Sequence, residues 1–253
     1  MMHIRQATLD DLPAVAEVIL ASLAEDSSWK SVFPPGFRKN PAYEAYAREV
    51  LERYLDPENL DRLVVVAEVS RATSKGIVTS IASVAVWDMS RADMHETWRK
   101  STDTLFDVDD LISVMAPAAS ENIRDKLATM HAAVSFSQRQ HFEHAGAHAY
   151  LEALATHPAH RGQGYAKALS AVGFASARAR SLAVAVMTSS RGYIFFSGLG
   201  FADLGCVSLR GPDRSREDCV LKVMILNAPR PRPKRRGSSM LGSLLSIVGS
   251  PRP

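Results

Sequence analysis

Cysteine is scarce in this sequence, which has only Cys206 and Cys219 among its 253 residues. Two cysteines make no disulfide framework of the kind that stabilises small secreted domains, so we expect a reduced, intracellular chain. Long apolar runs are also missing. The strongest one near the end, Met240–Val248, falls well short of the ~20 residues that cross a bilayer. We therefore expect a cytoplasmic protein without stable membrane association.

An excess of positive charge is missing from most of the chain, although the formal net charge is +3 and the pI is about 8.9. Residues 228–253 hold six of the 30 Lys and Arg residues and no acid, which leaves 24 basic against 27 acidic residues in 1–227. A slightly acidic body is unlike a general nucleic-acid binder, so we expect no nucleic-acid partner.

The tail, residues 228–253, is rich in Pro, Ser and basic residues, which predicts disorder rather than a packed core. Its Lys234-Arg235-Arg236 patch is compatible with a nuclear address or with a contact to an anionic surface. Residues 240–248 could form a short amphipathic helix. These roles stay open.

Short β-branched runs alternate with helical patterns along residues 1–227, which predicts a mixed α/β fold with at least one strand–helix–strand crossover. Thr8 and Asp11 are spaced as a capping box at the start of a helix. Polar residues 70–76 indicate the turn of a hairpin. We expect strands near 2–7, 63–68, 77–87, 150–156, 182–188, 201–209 and 219–226, and helices near 8–23, 42–55, 165–180 and 191–199.

The sharpest local signal is the segment from Thr156 to Lys167, THPAHRGQGYAK. Pro158 ends a strand, and Gly162 and Gly164 stand directly before a helix. Glycine lets the backbone approach a ligand closely. The free N–H groups of a first helical turn lie at the positive end of the helix dipole, which suits a pyrophosphate. The pattern alone also fits a tight turn without a ligand.

Two widespread phosphate motifs do not fit this turn. The dinucleotide fingerprint fails because Lys167 stands where a third small residue is expected. A Walker A loop fails because no Gly-Lys-Ser/Thr follows. The turn is therefore a candidate phosphate site of another kind.

The same segment resembles a motif of the GNAT acetyltransferases. RGQGYA at residues 161–166 is similar to their Gln/Arg-x-x-Gly-x-Gly/Ala motif, and LGF at residues 199–201 is similar to the end of a later helix. The opening IRQATLDDLPAV is also similar to their first strand and helix. The resemblance covers residues 1–227 and implies a single α/β domain, with a mixed, mostly antiparallel sheet flanked by helices.

The residue pattern predicts a helical insertion at residues 88–148, between the third and fourth strands, where most folds of this family have a short turn. This layout is similar to the puromycin N-acetyltransferase-like branch, and a lid or an oligomer contact specific to this chain is the alternative. In the family, the segments that match residues 29–37 and this insertion shape the acceptor pocket, where Glu25 and Asp26 could attract a cationic amine. The oligomeric state is left open.

The function implied by the resemblance is acetyl transfer from acetyl-CoA, as co-substrate, to the amine of a small molecule, with no metal. The pyrophosphate would lie on the turn and the pantetheine arm along the preceding strand. A protein lysine or N-terminal acetyltransferase, and a CoA-binding regulatory module without turnover, are the alternatives. The residues expected to bind acetyl-CoA are Leu154, Ala155, Thr156, Arg161, Gly162, Gln163, Gly164, Tyr165 and Ala166.

Glu152 is the candidate catalytic base, because it lies in an otherwise apolar strand beside the expected thioester. Partial burial would raise its pKa toward a useful value, and a solvent-facing position is the alternative. Phe196 occupies the position of the family's catalytic tyrosine and has no proton to give. The leaving thiolate would then depend on Tyr193, one helical turn earlier, on water, or on unassisted departure.

Three histidines, His141, His144 and His148, are spaced so that they would share one face of a helix. Such a face could hold zinc, but no carboxylate or cysteine pattern accompanies it. A polar helix surface is the interpretation that we prefer.

Overall fold

A single sheet of seven strands organises the computed structural model, which describes residues 2–30, 36–74, 76–89, 121–142, 145–209 and 219–228. The strand order is β1-β2-β3-β4-β5-β7-β6, and of these neighbours only β4 and β5 run parallel. The predicted mixed, mostly antiparallel sheet is confirmed. The strands are β1 Met2–Gln6, β2 Arg62–Thr73, β3 Gly76–Asp88, β4 His148–Thr156, β5 Ala183–Thr188, β6 Ala202–Leu209 and β7 Cys219–Leu226.

Helices flank this sheet on both faces. On β2 and β3, Val64 and Val86 pack with α1 and α3, whereas Val65 and Trp87 pack with α5 and α6. Alternate residues of a strand point to opposite faces, so two covered faces explain the nearly continuous apolar runs of these strands. The helices are α1 Leu12–Glu25, α2 Ser27–Lys30, α3 Pro41–Leu55, α4 Glu121–Phe142, α5 Tyr165–Ala179 and α6 Ser190–Gly198.

A half-buried cluster of ion pairs ties the segment that leads into α1 to the sheet. The backbone N–H of Thr8 donates to Asp11, which confirms the predicted capping box. Arg5 Nη1 lies 2.6 Å from Asp11 Oδ2, and its Nη2 lies 2.7 Å from Glu68 Oε2. Hydrogen bonding to Arg5 is the main reason why the pKa of Asp11 is lowered. The cluster fixes α1 beside β1 and β2, and so aims the far end of α1 at the site described below.

A close approach of helix to sheet positions α5. A Cβ added at Gly173 would lie 2.1 Å from the ring of Trp87, whose side chain is fully buried in β3. Only glycine lets the helix come so near to this ring. The helix that follows the glycine turn is therefore seated directly on the sheet.

Two predictions concern the connections between strands. The structure corrects the first, and most residues of the second lie outside the described ranges. The hairpin turn is shorter than residues 70–76, because β2 continues to Thr73 and β3 begins at Gly76. Of the predicted insertion, the structure describes α4, while residues 90–120 and 143–144 lie outside it, as do 31–35 and the tail from 229. Among the described helices, none is long and apolar enough to cross a membrane.

Candidate active site

A gap between β4 and β5 forms the site. The two strands pair in parallel from His148 and Ala183 as far as Leu151 and Val186, and then separate. Beyond that point the edge of β4 that faces β5 pairs with no strand in the described part of the chain. A cavity of about 490 Å³ opens in this gap, a size typical of small-molecule sites.

A β-bulge explains why the strands separate. Val86 of β3 pairs with Ala153, whereas Trp87 pairs with Leu151, so Glu152 is an extra residue on β4. An extra residue bends its strand and increases the local twist. The same irregularity that opens the gap therefore also places Glu152 in the cavity wall.

The glycine turn closes one end of the cavity. After β4, a short 3-10 helix over Pro158–His160 leads to Gly162 and Gly164, which have φ values of +77° and +82°. These left-handed conformations favour glycine. Among the described residues, no atom lies within 4 Å of the position that a Cβ would take at either glycine, so the turn faces open space. Its backbone N–H groups and those at the start of α5 can bind an anion there by donating hydrogen bonds to it.

The end of α1 supplies another wall of the cavity. Polar contacts from residues that follow β4 and β5 hold it in place. Arg161 Nη2 donates to the backbone oxygen of Ser22 at 3.5 Å, and its Nη1 lies 3.8 Å from Glu25. Ser189, just after β5, donates to Asp26 Oδ2 at 2.7 Å. These contacts fix the α1–α2 junction over the gap.

The charge on the cavity wall is divided. Three basic residues of the lining belong to the glycine turn and the start of α5, one belongs to α6, and the acidic residues Asp26 and Glu152 belong to the rest of the wall. Trp29, Phe195 and Phe196 provide apolar surface. An anion is therefore favoured at the turn and a cation elsewhere. The basic residues of the lining are His160, Arg161, Lys167 and Arg191.

The predicted cofactor residues and Glu152 all line this one cavity, whereas Tyr193 does not. Lys222 Nζ lies 5.1 Å from the centre of the Tyr193 ring, and the hydroxyl interacts with Asp203. Phe196, in contrast, lies in the cavity wall and is 3% exposed. The cofactor residues found in the lining are Leu154, Ala155, Thr156, Arg161, Gly162, Gln163, Gly164, Tyr165 and Ala166.

Some features of the site give no signal in the sequence. Ser189 is 163 residues from its partner Asp26, and the buried ion pair of Arg62 with Asp88 joins two strands. Neither pair has a local spacing that a motif could capture. No local sequence pattern predicts the bulge at Glu152 either, because the bulge depends on the pairing register between β4 and β3.

The described histidines make no metal site. His141 Nδ1 lies 2.9 Å from the backbone oxygen of Ser137, and His148 Nδ1 lies 2.8 Å from that of Gly146. His144 lies outside the described residues. Within the described ranges, no group of three or more His, Cys, Asp or Glu side chains could hold a metal ion.

Comparison with known proteins agrees with this geometry. Residues 83–201 match the profile of the Acetyltransferase (GNAT) family, a span that includes Glu152, the gap and the glycine turn. No curated protein matches the chain significantly.

Two solved structures illustrate the likeness of fold. A structure from Corynebacterium glutamicum, described as histone acetyltransferase HPA2 and related acetyltransferase, has 21% identity and a TM-score of 0.56 over 92% of this chain and 99% of its own. The mosquito arylalkylamine N-acetyltransferase like 5b has 14% identity and a TM-score of 0.54 over 89% and 99%. Residues 83–201 are thus identified as a region that matches the GNAT acetyltransferases, a family of acyltransferases that use acetyl-CoA.

Proposed function

We propose that the protein transfers an acetyl group from acetyl-CoA to the amine of a small molecule. One observation carries the proposal: a single cavity has the glycine turn at one end and the carboxylate of Glu152 in its wall. An anion site for CoA and a proton acceptor for an amine therefore share one space. Acyl transfer to nitrogen needs both.

The chain's own backbone would hold the cofactor. The N–H groups of Arg161–Ala166 would bind the pyrophosphate, and the free edge of β4 from Leu154 to Thr156 would pair with the pantetheine arm as a strand does. Bound acetyl-CoA supplies the activated acyl group. An N–H of β4 beside the bulge would donate to the oxygen of the acyl carbonyl, where negative charge develops during attack.

Glu152 would take a proton from the acceptor amine. Its carboxylate lies in the wall of the gap, where a thioester bound along β4 would end. Removing one proton from an ammonium frees the lone pair that attacks the carbonyl. The strand bulge fixes the position of this carboxylate, because Glu152 is the extra residue.

The leaving thiolate would depart without a side-chain acid. Phe196 has no proton to give, and the Tyr193 hydroxyl interacts with Asp203 outside the cavity lining. A thiol has a modest pKa, about 8.5 for cysteine, so its anion is an adequate leaving group. The second proton released by the nitrogen, or water, completes the thiol.

The walls of the cavity favour a small acceptor. The α1–α2 junction lies over the gap through the contacts of Asp26 and Arg161, and Trp29 adds a flat apolar wall. A space of about 490 Å³ that also holds the end of the pantetheine arm leaves room for a compact amine rather than a peptide backbone.

A panel of amines tests the proposal. Purified protein and acetyl-CoA would be incubated with small primary amines and, in parallel, with lysine-containing and free N-terminal peptides, and the released thiol would be measured. We expect turnover on at least one small amine and weaker turnover on peptides. Tight acetyl-CoA binding with no transfer to any acceptor would contradict catalysis, and preference for a peptide would contradict the substrate class.

A further inference from the structure

Buried charges surround the proposed base. Arg62 of β2 stands opposite Asp88 of β3, and Nη1 of Arg62 lies 2.8 Å from Oδ2 of Asp88. Their side chains are 8% and 0% exposed. Asp88 is in turn opposite Tyr150 of β4, two residues before Glu152. Three neighbouring strands therefore bring an ion pair and the base to one end of the sheet.

Arg62 is held between its neighbours. Its guanidinium carbon lies 4.8 Å from the centre of the Tyr54 ring. Burial by itself lowers the pKa of Arg62, but Tyr54, Asp88 and Glu152 outweigh burial and raise it above its ordinary value. Electrostatic coupling is mutual, so the charge that Glu152 stabilises on Arg62 also stabilises the carboxylate of Glu152.

The charges in this cluster do not balance. Arg62 contributes one positive charge, since a guanidinium stays protonated in proteins, and Asp88 and Glu152 contribute two negative ones when ionised. Arg62 and Asp88 are buried and Glu152 is half-buried, so one uncompensated negative charge in this cluster is costly. A protonated amine that enters the cavity beside Glu152 would complete the balance, which favours an acceptor that arrives as an ammonium.

Other titratable groups also face this region. Tyr54 comes from α3, and Tyr150 and His148 belong to β4 itself. Asp26 lines the cavity from the end of α1, and four basic residues line it from the β4–α5 connection, the start of α5 and α6. Those bases are His160, Arg161, Lys167 and Arg191. Arg62 and Asp88 differ from these groups because they form a buried ion pair. Charge effects are screened least in a buried pair.

We propose that Arg62 and Asp88 are positioning residues that set the charge of Glu152. Arg62 holds Glu152 as a carboxylate, and Asp88 limits that effect so that Glu152 remains able to accept a proton from an ammonium. One proton passes from the ammonium nitrogen to Glu152 and later to solvent, and the second proton of the nitrogen is left for the thiolate. This inference rests on the proposed function for the role of Glu152.

Direct titration of Glu152 tests the inference without any substrate. Carboxyl-carbon NMR of isotope-labelled glutamate would be followed against pH, with the Glu152 signal assigned by its loss in Glu152→Gln. We expect Arg62→Gln to raise the midpoint by about one pH unit or more, because a neighbouring positive charge is lost. We expect Asp88→Asn to lower it, because a neighbouring negative charge is lost. Arg38→Gln, which removes an exposed arginine paired with Glu17, should leave it unchanged.

The opposite direction of the two shifts is the decisive result, because general damage to the fold would not produce it. Wild-type affinity for acetyl-CoA would establish that each variant is folded. If Arg62→Gln does not fold, Arg62→Lys should keep a midpoint near that of the wild type while Asp88→Asn lowers it. An unchanged midpoint in Arg62→Gln, or shifts of both variants in one direction, would overturn the inference. The proposed function would fail separately, through absence of transfer by the wild type.

Discussion

Whereas the glycine turn offers backbone N–H groups from consecutive residues, the wall around Glu152 depends on side chains from three strands. The turn needs only glycines with positive φ at two positions and the start of α5. The wall needs a strand register, a bulge and a buried ion pair. A short sequence motif can therefore predict a binding site made of backbone N–H groups. It cannot predict a site made of charged side chains from several strands.

The largest effect should come from breaking the turn. Gly164→Glu places a side chain at φ +82° and a carboxylate in the space above the turn. Backbone strain and repulsion of the pyrophosphate should weaken acetyl-CoA binding by about a hundredfold or more, since every 1.4 kcal/mol is tenfold. Isothermal titration calorimetry would measure the affinity.

A matched glycine serves as the control for this change. Gly198, at the end of α6, has an ordinary backbone conformation and, among the described residues, no atom within 4 Å of its Cβ position. Gly198→Ala should bind acetyl-CoA as the wild type does. Equal affinity in Gly164→Glu and the wild type would mean that the turn does not hold the cofactor.

A substitution at Glu152 should lower the rate of acetyl transfer without changing the affinity for acetyl-CoA. Glu152→Gln keeps the shape of the side chain and removes its charge, so turnover should fall by about a hundredfold or more, the range of a general base. Acetyl-CoA affinity should stay close to that of the wild type, because the turn is intact. Steady-state rates and calorimetry on the same preparation would measure both, and full turnover would remove Glu152 from the mechanism.

The same contrast explains what the sequence could predict. The strands, most helix bounds and the turn follow from local patterns, so that Cys219–Leu226 and the capping box of Thr8 were predictable. The family resemblance led us to expect the acetyl-CoA-binding residues in one segment, and the residues of that segment line one cavity. In contrast, the bulge at Glu152 and its buried neighbour Arg62 depend on pairing between strands that are distant in sequence.

Tyr193 illustrates why spacing along a helix misleads. The sequence places it one turn before Phe196, which indicates a shared face. Yet a helix face is wide, and Tyr193 turns toward β6 and β7, where Lys222 and Asp203 bind it. Phe196 alone of the two lines the cavity. Which flank of a helix borders a cavity depends on packing that no local pattern contains.

A smaller effect should follow from loosening the seat of α5, which carries the turn. Gly173→Ala would bring a methyl group to 2.1 Å from the Trp87 ring, so the helix or the ring must move. Overpacking of this kind costs about 1–3 kcal/mol of unfolding free energy, more than alanine gains as a helix former. Urea denaturation would measure the change against Gly198→Ala. A more stable Gly173→Ala would mean that the ring moves aside freely.

The smallest effect should be that of Tyr193→Phe. The ring would keep its place beneath Lys222, and only the hydroxyl near Asp203 would be lost. Because neither the ring nor the hydroxyl belongs to the cavity lining, turnover should stay within about twofold of the wild type, whereas loss of a working general acid costs about a hundredfold. Rates measured on the amine that reacts best would decide. A loss of about a hundredfold would show that Tyr193 moves toward the thiolate during the reaction. A second side chain of α6, in addition to Phe196, would then border the reacting atoms.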